Sequence, residues 1–207
     1  MTGTADRQAA RDAATVQETL DIENARVYLR HPTTADQEEF LDLMRQSRKL
    51  HHPWIQPPLS PAGYQHYLKR MARDDHVGFF VCQREDHRIA AVINLNNIVH
   101  GAFLSAYLGY YAGVGFNGRG LMTEGLRQVI RIAVYQLGLH RLEANIQPGN
   151  AASIALVRRL GFRREGFSPA YLFIDGAWRD HERWALVHTR NELLPPGVPL
   201  EVAGKLP

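Results

Sequence analysis

Apolar and polar residues alternate along several short stretches of this chain, and a period of two is typical of half-buried β-strands. The first such stretch, residues 25–30, reads Ala-Arg-Val-Tyr-Leu-Arg. Further strands are predicted at residues 77–84, 88–96, 103–112, 140–146, 170–174 and 178–187. Short polar turns join two pairs of these strands into hairpins. The pattern therefore predicts about seven strands.

Other segments repeat their apolar residues every three to four positions, which predicts helices with one buried face. The first follows a capping sequence at residues 33–36, and the second opens at Ser60-Pro61. A third spans residues 121–137 and ends before Gly138, and a fourth follows Asn150. The order β-α-α-β-β-β-α-β-α-β-β predicts a mixed α/β sheet with helices on both faces.

One junction between a strand and a helix is rich in glycine: residues 117–124 read Asn-Gly-Arg-Gly-Leu-Met-Thr-Glu. Glycine lets the backbone approach a ligand closely, and the first N–H groups of a helix have no partner within it. These donors and the positive end of the helix dipole favour an anion. The sequence therefore predicts a pyrophosphate site at Gly118 and Gly120.

Composition narrows the class of protein. The 207 residues suit one domain, and a net charge of +3 with no basic block argues against nucleic acid. The single cysteine, Cys82, and ten histidines without ligand spacing argue against a metal site. No stretch is long enough to span a membrane, and we expect a soluble, cytoplasmic protein. Residues 25–188 are expected to form the domain, between tails at 1–24 and 189–207.

The glycine turn allows two interpretations. Residues 113–118 spell G-x-G-x-x-G between a strand and a helix, and Glu143 follows about 25 residues later, as in a dinucleotide-binding unit. Such a fold normally begins with this unit, whereas here four strands precede it. The acidic residue should also end its strand, and Glu143 lies in the middle of one. Both points disfavour a dinucleotide.

The second interpretation uses the later glycines and the segments that follow them. Residues 139–144 (Leu-His-Arg-Leu-Glu-Ala), 148–153 (Pro-Gly-Asn-Ala-Ala-Ser) and 176–181 (Gly-Ala-Trp-Arg-Asp-His) continue a recurring series of motifs. In their order and spacing they resemble the GNAT superfamily of acyl-CoA-dependent N-acetyltransferases, in its RimJ/RimL branch. The resemblance covers residues 26–187. It implies a strongly twisted mixed sheet of about seven strands with helices on both faces.

The resemblance implies that the chain binds acetyl-CoA along the end of one strand and at the glycine turn. The residues it assigns to this cofactor are Tyr111, Ala112, Gly113, Val114, Asn117, Gly118, Arg119, Gly120, Leu121, Met122, Thr123 and Asn150. The branch usually has Gln or Arg in place of Asn117 and proline in place of Val114. An N–H at Val114 would also polarise the thioester carbonyl. Asn150 can serve equally as a helix cap.

The same resemblance implies roles in the chemistry. Glu143 would be the general base, although it could instead pair with Arg141. Many relatives place a tyrosine that protonates the leaving sulfur where this chain has Val157, so Ser153 takes that role or simply caps its helix. His52 and Trp54 would wall the acceptor pocket. His181 is expected to be structural. Apart from the resemblance, the local basic cluster of Arg158, Arg159, Arg163 and Arg164 is expected to be a solvated helix end, with contact to phosphate or substrate as the alternative.

The implied activity is direct acetyl transfer in a ternary complex. The resemblance points to the N-terminal α-amine of a protein or peptide, ribosomal proteins among them. A small amine, amino acid or antibiotic remains an alternative acceptor. A second alternative is that the chain is a weakly catalytic CoA-binding domain. The sequence leaves a homodimer open.

Overall fold

The structure, a computed structural model, describes residues 25–188 and 202–203. Seven strands and a two-residue eighth form one mixed sheet in the order β6-β7-β5-β4-β3-β2-β1-β8. The strands are β1 Val27–Arg30, β2 His76–Gln83, β3 Ile89–Val99, β4 Ser105–Ala112, β5 Arg141–Ile146, β6 Arg163–Ile174, β7 Ala177–Val187 and β8 Val202–Ala203. Only the β4–β5 and β1–β8 pairs are parallel. The predicted mixed fold with seven main strands is confirmed.

Within residues 25–188, five α-helices cover the two faces of the sheet. They are α1 Gln37–Gln46, the short α2 Arg48–His51, α3 Pro61–Met71, α4 Leu121–Arg131 and α5 Ala151–Arg159. The buried ring of Phe40 on α1 stacks on Phe80 of β2, at 5.6 Å between ring centroids. A Cβ at Gly125 of α4 would lie 2.6 Å from Val81 of the same strand. Because successive strand residues face opposite ways, α1 and α4 lie on opposite faces.

Several predicted helix boundaries are confirmed by their caps. Residues Thr33 and Asp36 form a capping box ahead of α1. The Ser60 hydroxyl accepts the Gly63 N–H at 3.2 Å at the start of α3. Asn150 caps α5 by accepting the Ser153 N–H at 3.1 Å. These side chains satisfy N–H groups that a helix leaves unpaired, which is why the sequence marked the helix starts correctly.

Two elements differ from the prediction. Strand β6 begins at Arg163 rather than near residue 170, and most of its residues are exposed because it is the edge of the sheet. An edge strand without a buried face shows no alternation in its sequence, so its first half was missed. The helix predicted at 121–137 is α-helical only to Arg131 and continues as a π-helical segment, Ile132–Gln136.

The proposed tails lie largely outside the described residues. Residues 1–24, 189–201 and 204–207 are not described. Within the proposed C-terminal tail, the strand β8 at residues 202–203 runs parallel to β1. The division into tails and domain therefore stays a prediction.

Candidate active site

Strands β4 and β5 are paired at only one end. Their register covers Ser105 with Arg141, Ala106 with Leu142 and Tyr107 with Glu143, and no pair follows. Both strands continue beyond this point, so they diverge and leave a cleft. A strand edge that diverges from its neighbour offers unpaired N–H and C=O groups. This cleft is the candidate site.

The glycine turn lies at the open end of this cleft. Gly118 and Gly120 have φ of +74° and +83°, a region that side chains with a Cβ rarely adopt. Gly120 is the N-cap residue of α4, and no side chain caps that helix. The first N–H groups of α4 are therefore directed to the turn without a capping partner, as an anion site requires.

An ion pair from outside the turn holds its shape. The Arg26 guanidinium pairs with the Glu124 carboxylate in the first turn of α4 and donates to the Arg119 carbonyl at 2.9 Å. The Arg26 backbone N–H also donates to Glu124, at 2.9 Å. Glu124 thus fixes the turn to β1 rather than facing a ligand.

A cavity of about 430 Å³ extends from the turn along β4. The predicted cofactor residues that line it are Tyr111, Ala112, Asn117, Gly118, Gly120, Met122, Thr123 and Asn150. Arg159 lines it too, with its guanidinium 3.5 Å from the Thr123 hydroxyl. We call this space the cofactor cavity. A flexible amide-bearing arm suits the strand edge, and a pyrophosphate suits the turn beside Arg159, so the residues fit coenzyme A.

At the end of β4, two of the predicted cofactor residues, Gly113 and Val114, have backbone N–H groups that are already hydrogen-bonded within the protein. The Val114 N–H donates to the buried Ser47 hydroxyl at 2.9 Å, so it is not free to polarise a thioester. The Gly113 N–H donates to the Ala90 carbonyl of β3 at 2.8 Å. Because alternate residues direct their backbone groups to opposite sides, Ala112 directs its N–H toward the cleft.

A second cavity of about 510 Å³ opens on the other side of the cleft. Its polar lining consists of Asn96, Asn97, Tyr107, Tyr110, Asn145, Gln147, Asn150, Ser153, Tyr171 and His181. No Asp, Glu, Lys or Arg of the described residues lines it. We call it the acceptor cavity. The two cavities share Trp54, Ile55, Tyr110, Asn150 and Ser153, so they meet at these side chains.

Ser153 lies where the cavities meet and has a partner that sequence reasoning missed. Its hydroxyl and that of Tyr110 on β4 are 2.5 Å apart. Burial raises the pKa of Tyr110 to about 12, so this phenol stays protonated at neutral pH. Val157, the position of the tyrosine in many relatives, is fully buried in the core. The pair of hydroxyls is thus the available proton donor at the junction.

Glu143 occupies a different environment from the one expected of a base. Its carboxylate accepts from Arg141 Nε at 2.7 Å, and Arg141 donates in addition to Glu165 at 3.0 Å. Glu143 lines neither cavity. The ion pair that the sequence allowed as an alternative is formed, and the catalytic role stays a prediction.

The loop between α2 and α3 lies beside the junction of the two cavities and contributes Trp54 and Ile55 to both. Trp54 lines both cavities, and its ring lies 3.1 Å from the position of a Cβ on Gly149. His52 is mostly exposed and lies 3.3 Å from Asp175 at the tip of the β6–β7 hairpin. Trp54 is therefore placed at the cleft, whereas His52 fastens the loop to the hairpin tip.

Arg159 lines the cofactor cavity and His181 lines the acceptor cavity, although the sequence favoured other roles for both. Arg159 was expected first as a solvated helix end and, as the alternative, as a phosphate contact. Nothing local to α5 shows that its side chain reaches the glycine turn, and its position in the cofactor cavity favours the alternative. His181 was expected to be structural, yet it lines the acceptor cavity. Both contacts depend on long-range packing.

Within the described residues no helix is long and apolar enough to cross a membrane.

Comparison with known proteins adds a family to this geometry. The profile of the acetyltransferase (GNAT) domain matches residues 26–163. The [ribosomal protein uS5]-alanine N-acetyltransferase of Escherichia coli is 39% identical over 130 residues, which is 61% of this chain and 67% of the relative.

Two solved structures are similar to most of this chain. Mycobacterium smegmatis RimJ in complex with CoA-disulfide has a TM-score of 0.71 and 27% identity, covering 78% of this chain and 84% of its own. A ribosomal-protein-S5-alanine acetyltransferase from Vibrio fischeri has a TM-score of 0.71 and 23% identity, covering 81% and 96%. The second likeness concerns the fold alone.

Proposed function

This chain belongs to the GNAT acetyltransferase family, and we propose that its acceptor is the free α-amine at the N-terminus of a protein or peptide. It is an acetyl-CoA-dependent N-acetyltransferase of the RimJ/RimL kind. The observation that carries the proposal about the acceptor is the uncharged, amide-rich lining of the acceptor cavity.

Side-chain amides match the chemistry of a peptide. Asn96, Asn97, Asn145 and Gln147 each carry a carbonyl oxygen and an NH₂ group, the same pairing that a peptide backbone presents. The NH₂ groups of Asn96 and Gln147 already donate to backbone carbonyls, so these two side chains offer their oxygens. A polyamine carries several positive charges, and burying them requires carboxylates nearby. The described lining offers none. A peptide with a single terminal amine therefore suits this cavity better than a polyamine does.

A relative supports the same class of acceptor. The Escherichia coli protein, 39% identical, is named for the alanine of ribosomal protein uS5. Trp54 and Ile55 line both cavities where they meet, and the first residue of a bound peptide would lie beside them. We take an N-terminal alanine of a ribosomal protein as the first acceptor to test.

The cofactor residues divide the work of binding acetyl-CoA. The N–H groups from Gly118 to Met122 would hold the pyrophosphate, with Arg159 as a side-chain partner. The edge of β4 at Ala112 would pair with the pantetheine amides. Asn150 uses its Oδ1 to cap α5, which leaves its NH₂ group as a donor to the same arm. When bound, the cofactor supplies an acetyl group as a thioester.

Two proton movements accompany the transfer, and the chain has groups for each. Ser153, hydrogen-bonded to Tyr110, would give a proton to the leaving sulfur. The amine must lose a proton before its nitrogen can attack, and Glu143 is the base that the sequence suggests. The chain's single cysteine, Cys82, is fully buried in β2 and lines neither cavity, which supports direct transfer in a ternary complex.

The proposal is tested by mass spectrometry after incubation with acetyl-CoA and a panel of acceptors. The panel holds a hexapeptide with a free N-terminal alanine, the same peptide N-formylated with an internal lysine, free alanine and spermidine. We expect acetylation at the α-amine of the unblocked hexapeptide, and none of the N-formylated peptide, free alanine or spermidine. Faster acetylation of spermidine or of free alanine than of the hexapeptide would reject a peptide acceptor and favour a small amine.

A further inference from the structure

His181 has a fixed tautomer. It lies on β7 with 2% of its surface exposed, and its Nδ1 is 2.9 Å from the Arg179 carbonyl oxygen. A carbonyl oxygen only accepts hydrogen bonds, so Nδ1 must carry the hydrogen. In the neutral ring the other nitrogen, Nε2, then carries the lone pair. His181 therefore offers a proton acceptor, held in orientation by the backbone.

The imidazole lines the acceptor cavity rather than the core alone. Strands β5 and β7 pair with Asn145 opposite Arg183. Since residues two apart share a face, His181 lies on the same face of the sheet as Asn145. Asn145 lines the cavity too, and its Oδ1 is buried without a hydrogen-bond partner among the described residues.

A buried amide oxygen without a partner is costly, and a ligand N–H would satisfy it. His181 and Asn145, each with an acceptor atom that has no assigned partner, thus line one cavity in which the described lining has no cation and no carboxylate. An amine has N–H groups to give to both. Glu143 shares this face of the sheet, but its carboxylate is already paired with Arg141.

We propose that His181, rather than Glu143, takes the proton from the acceptor amine, while Asn145 Oδ1 accepts a second N–H and orients the nitrogen. This rests on the proposed function in one respect, namely that the amine binds in the acceptor cavity. The amine arrives as an ammonium ion, and His181 passes the proton on to solvent. The nitrogen then forms the C–N bond as the C–S bond breaks. Ser153 gives its proton to the leaving sulfur, and the second proton of the nitrogen restores the Ser153 hydroxyl, so that no net charge is left on the chain.

The surroundings keep the ring in its basic form. Burial lowers the pKa of His181 from its usual value, against the opposing effects of the Arg179 carbonyl and of Asp180. The other titratable groups around it are Arg179 and Arg183, which lie two residues before and after it along β7, and the phenols of Tyr107 and Tyr171. Nε2 is therefore unprotonated at pH 7, when an amine of pKa near 8 is still largely protonated.

The kinetic test uses His181→Asn, whose NH₂ group can still donate to the Arg179 carbonyl but which has no basic nitrogen. With the N-terminal alanine hexapeptide as acceptor, we expect kcat to fall by about 10²–10⁴-fold, the usual contribution of a general base. The Kd of acetyl-CoA should stay unchanged. Glu143→Gln should cost less than about fivefold in kcat. The matched control is His76→Asn, a buried histidine of β2 that lines neither cavity and should keep full activity.

Two further readouts distinguish a base from a structural residue. In the wild type, kcat/KM should fall as the pH drops through the lowered pKa of His181, and His181→Asn should lose that limb. Added imidazole should restore activity to His181→Ala in proportion to its neutral form. The proposal would be overturned if kcat fell less than threefold in His181→Asn, or if it fell further in Glu143→Gln than in His181→Asn.

A measurement without turnover separates this proposal from the choice of acceptor. In ¹⁵N-histidine NMR spectra, the His181 signal is identified by its absence from His181→Asn. We expect a neutral ring protonated at Nδ1 at pH 7. An imidazolium, or a ring protonated at Nε2, would overturn the base role even if the hexapeptide is acetylated. The expected tautomer with no peptide acetylation would instead reject only the proposed acceptor.

Discussion

Replacing Gly118 with alanine alters the glycine turn without filling any space. A Cβ at this position would meet no atom within 4 Å, so the whole effect comes from the backbone, whose φ is +74°. The left-handed conformation costs a residue with a Cβ roughly 1–2 kcal/mol. The lower entropy of the unfolded chain offsets about 0.4–1 kcal/mol of this. The free energy of unfolding should therefore fall by about 1 kcal/mol if the turn keeps its shape.

If the turn instead relaxes, its N–H groups no longer converge on the pyrophosphate. A hydrogen bond to a charged group contributes about 1.5–3 kcal/mol, so the loss of one should raise the Kd of acetyl-CoA by roughly 10–100-fold. Isothermal titration calorimetry measures the Kd, and urea unfolding measures the stability. Gly118→Asn should lose less affinity, because asparagine tolerates this conformation better.

The matched control is Gly101→Ala. Gly101 has φ of +72° and also meets no atom within 4 Å, but it lies in the turn between β3 and β4, outside both cavities. It should lose a similar amount of stability and none of the affinity. If Gly118→Ala changes neither the free energy of unfolding nor the Kd, the turn has relaxed without effect on binding, and the assignment of the pyrophosphate to this turn is refuted.

Three other predictions follow from the same contacts. Ser47→Ala should lower the free energy of unfolding by about 1–3 kcal/mol in urea titrations, because it leaves the Val114 N–H without its partner; a loss below about 0.5 kcal/mol would contradict this. Arg159→Gln should raise the Kd of acetyl-CoA about two- to fivefold at low salt and less at high salt, since the side chain is exposed; Arg163→Gln, outside both cavities, should not. Despite burial, hydrogen bonds from its arginine and threonine partners lower the pKa of Asp36. That stabilisation is complete above the unfolded value of about 4 and is lost as the pH falls through the lowered folded pKa. Asp36→Asn should therefore flatten the acid limb of the stability curve measured by urea unfolding, and an unchanged limb would contradict the argument.

Much of the cofactor half of the site was predictable because its signals are local. Gly118 and Gly120 mark a backbone that other residues rarely adopt, and Asn150 marks the start of a helix three residues before Ser153. Such requirements act within a few positions of the chain. They can be read from the order of residues alone, and the cleft in the structure places them together.

The acceptor half was less predictable because it depends on contacts between distant strands. Tyr110 and Ser153 are 43 residues apart, and nothing in either segment indicates that their hydroxyls meet. The Ser47 hydroxyl takes the N–H of Val114 from 67 positions away, which removed a predicted role. His181 was read as structural because a lone histidine usually is. Only the register of β5 and β7 places it on the same face as Asn145.

The central claim is that acetyl-CoA and a peptide N-terminus bind at once in two cavities that meet at Ser153. The most direct test is calorimetry with a bisubstrate ligand that joins CoA to an alanine peptide. In this ligand a two-carbon linker has its CH₂ on the CoA sulfur and its carbonyl on the α-nitrogen of the peptide. This ligand should bind at least about 100-fold more tightly than CoA alone, because linking makes the second binding event intramolecular. An affinity equal to that of CoA would contradict the claim.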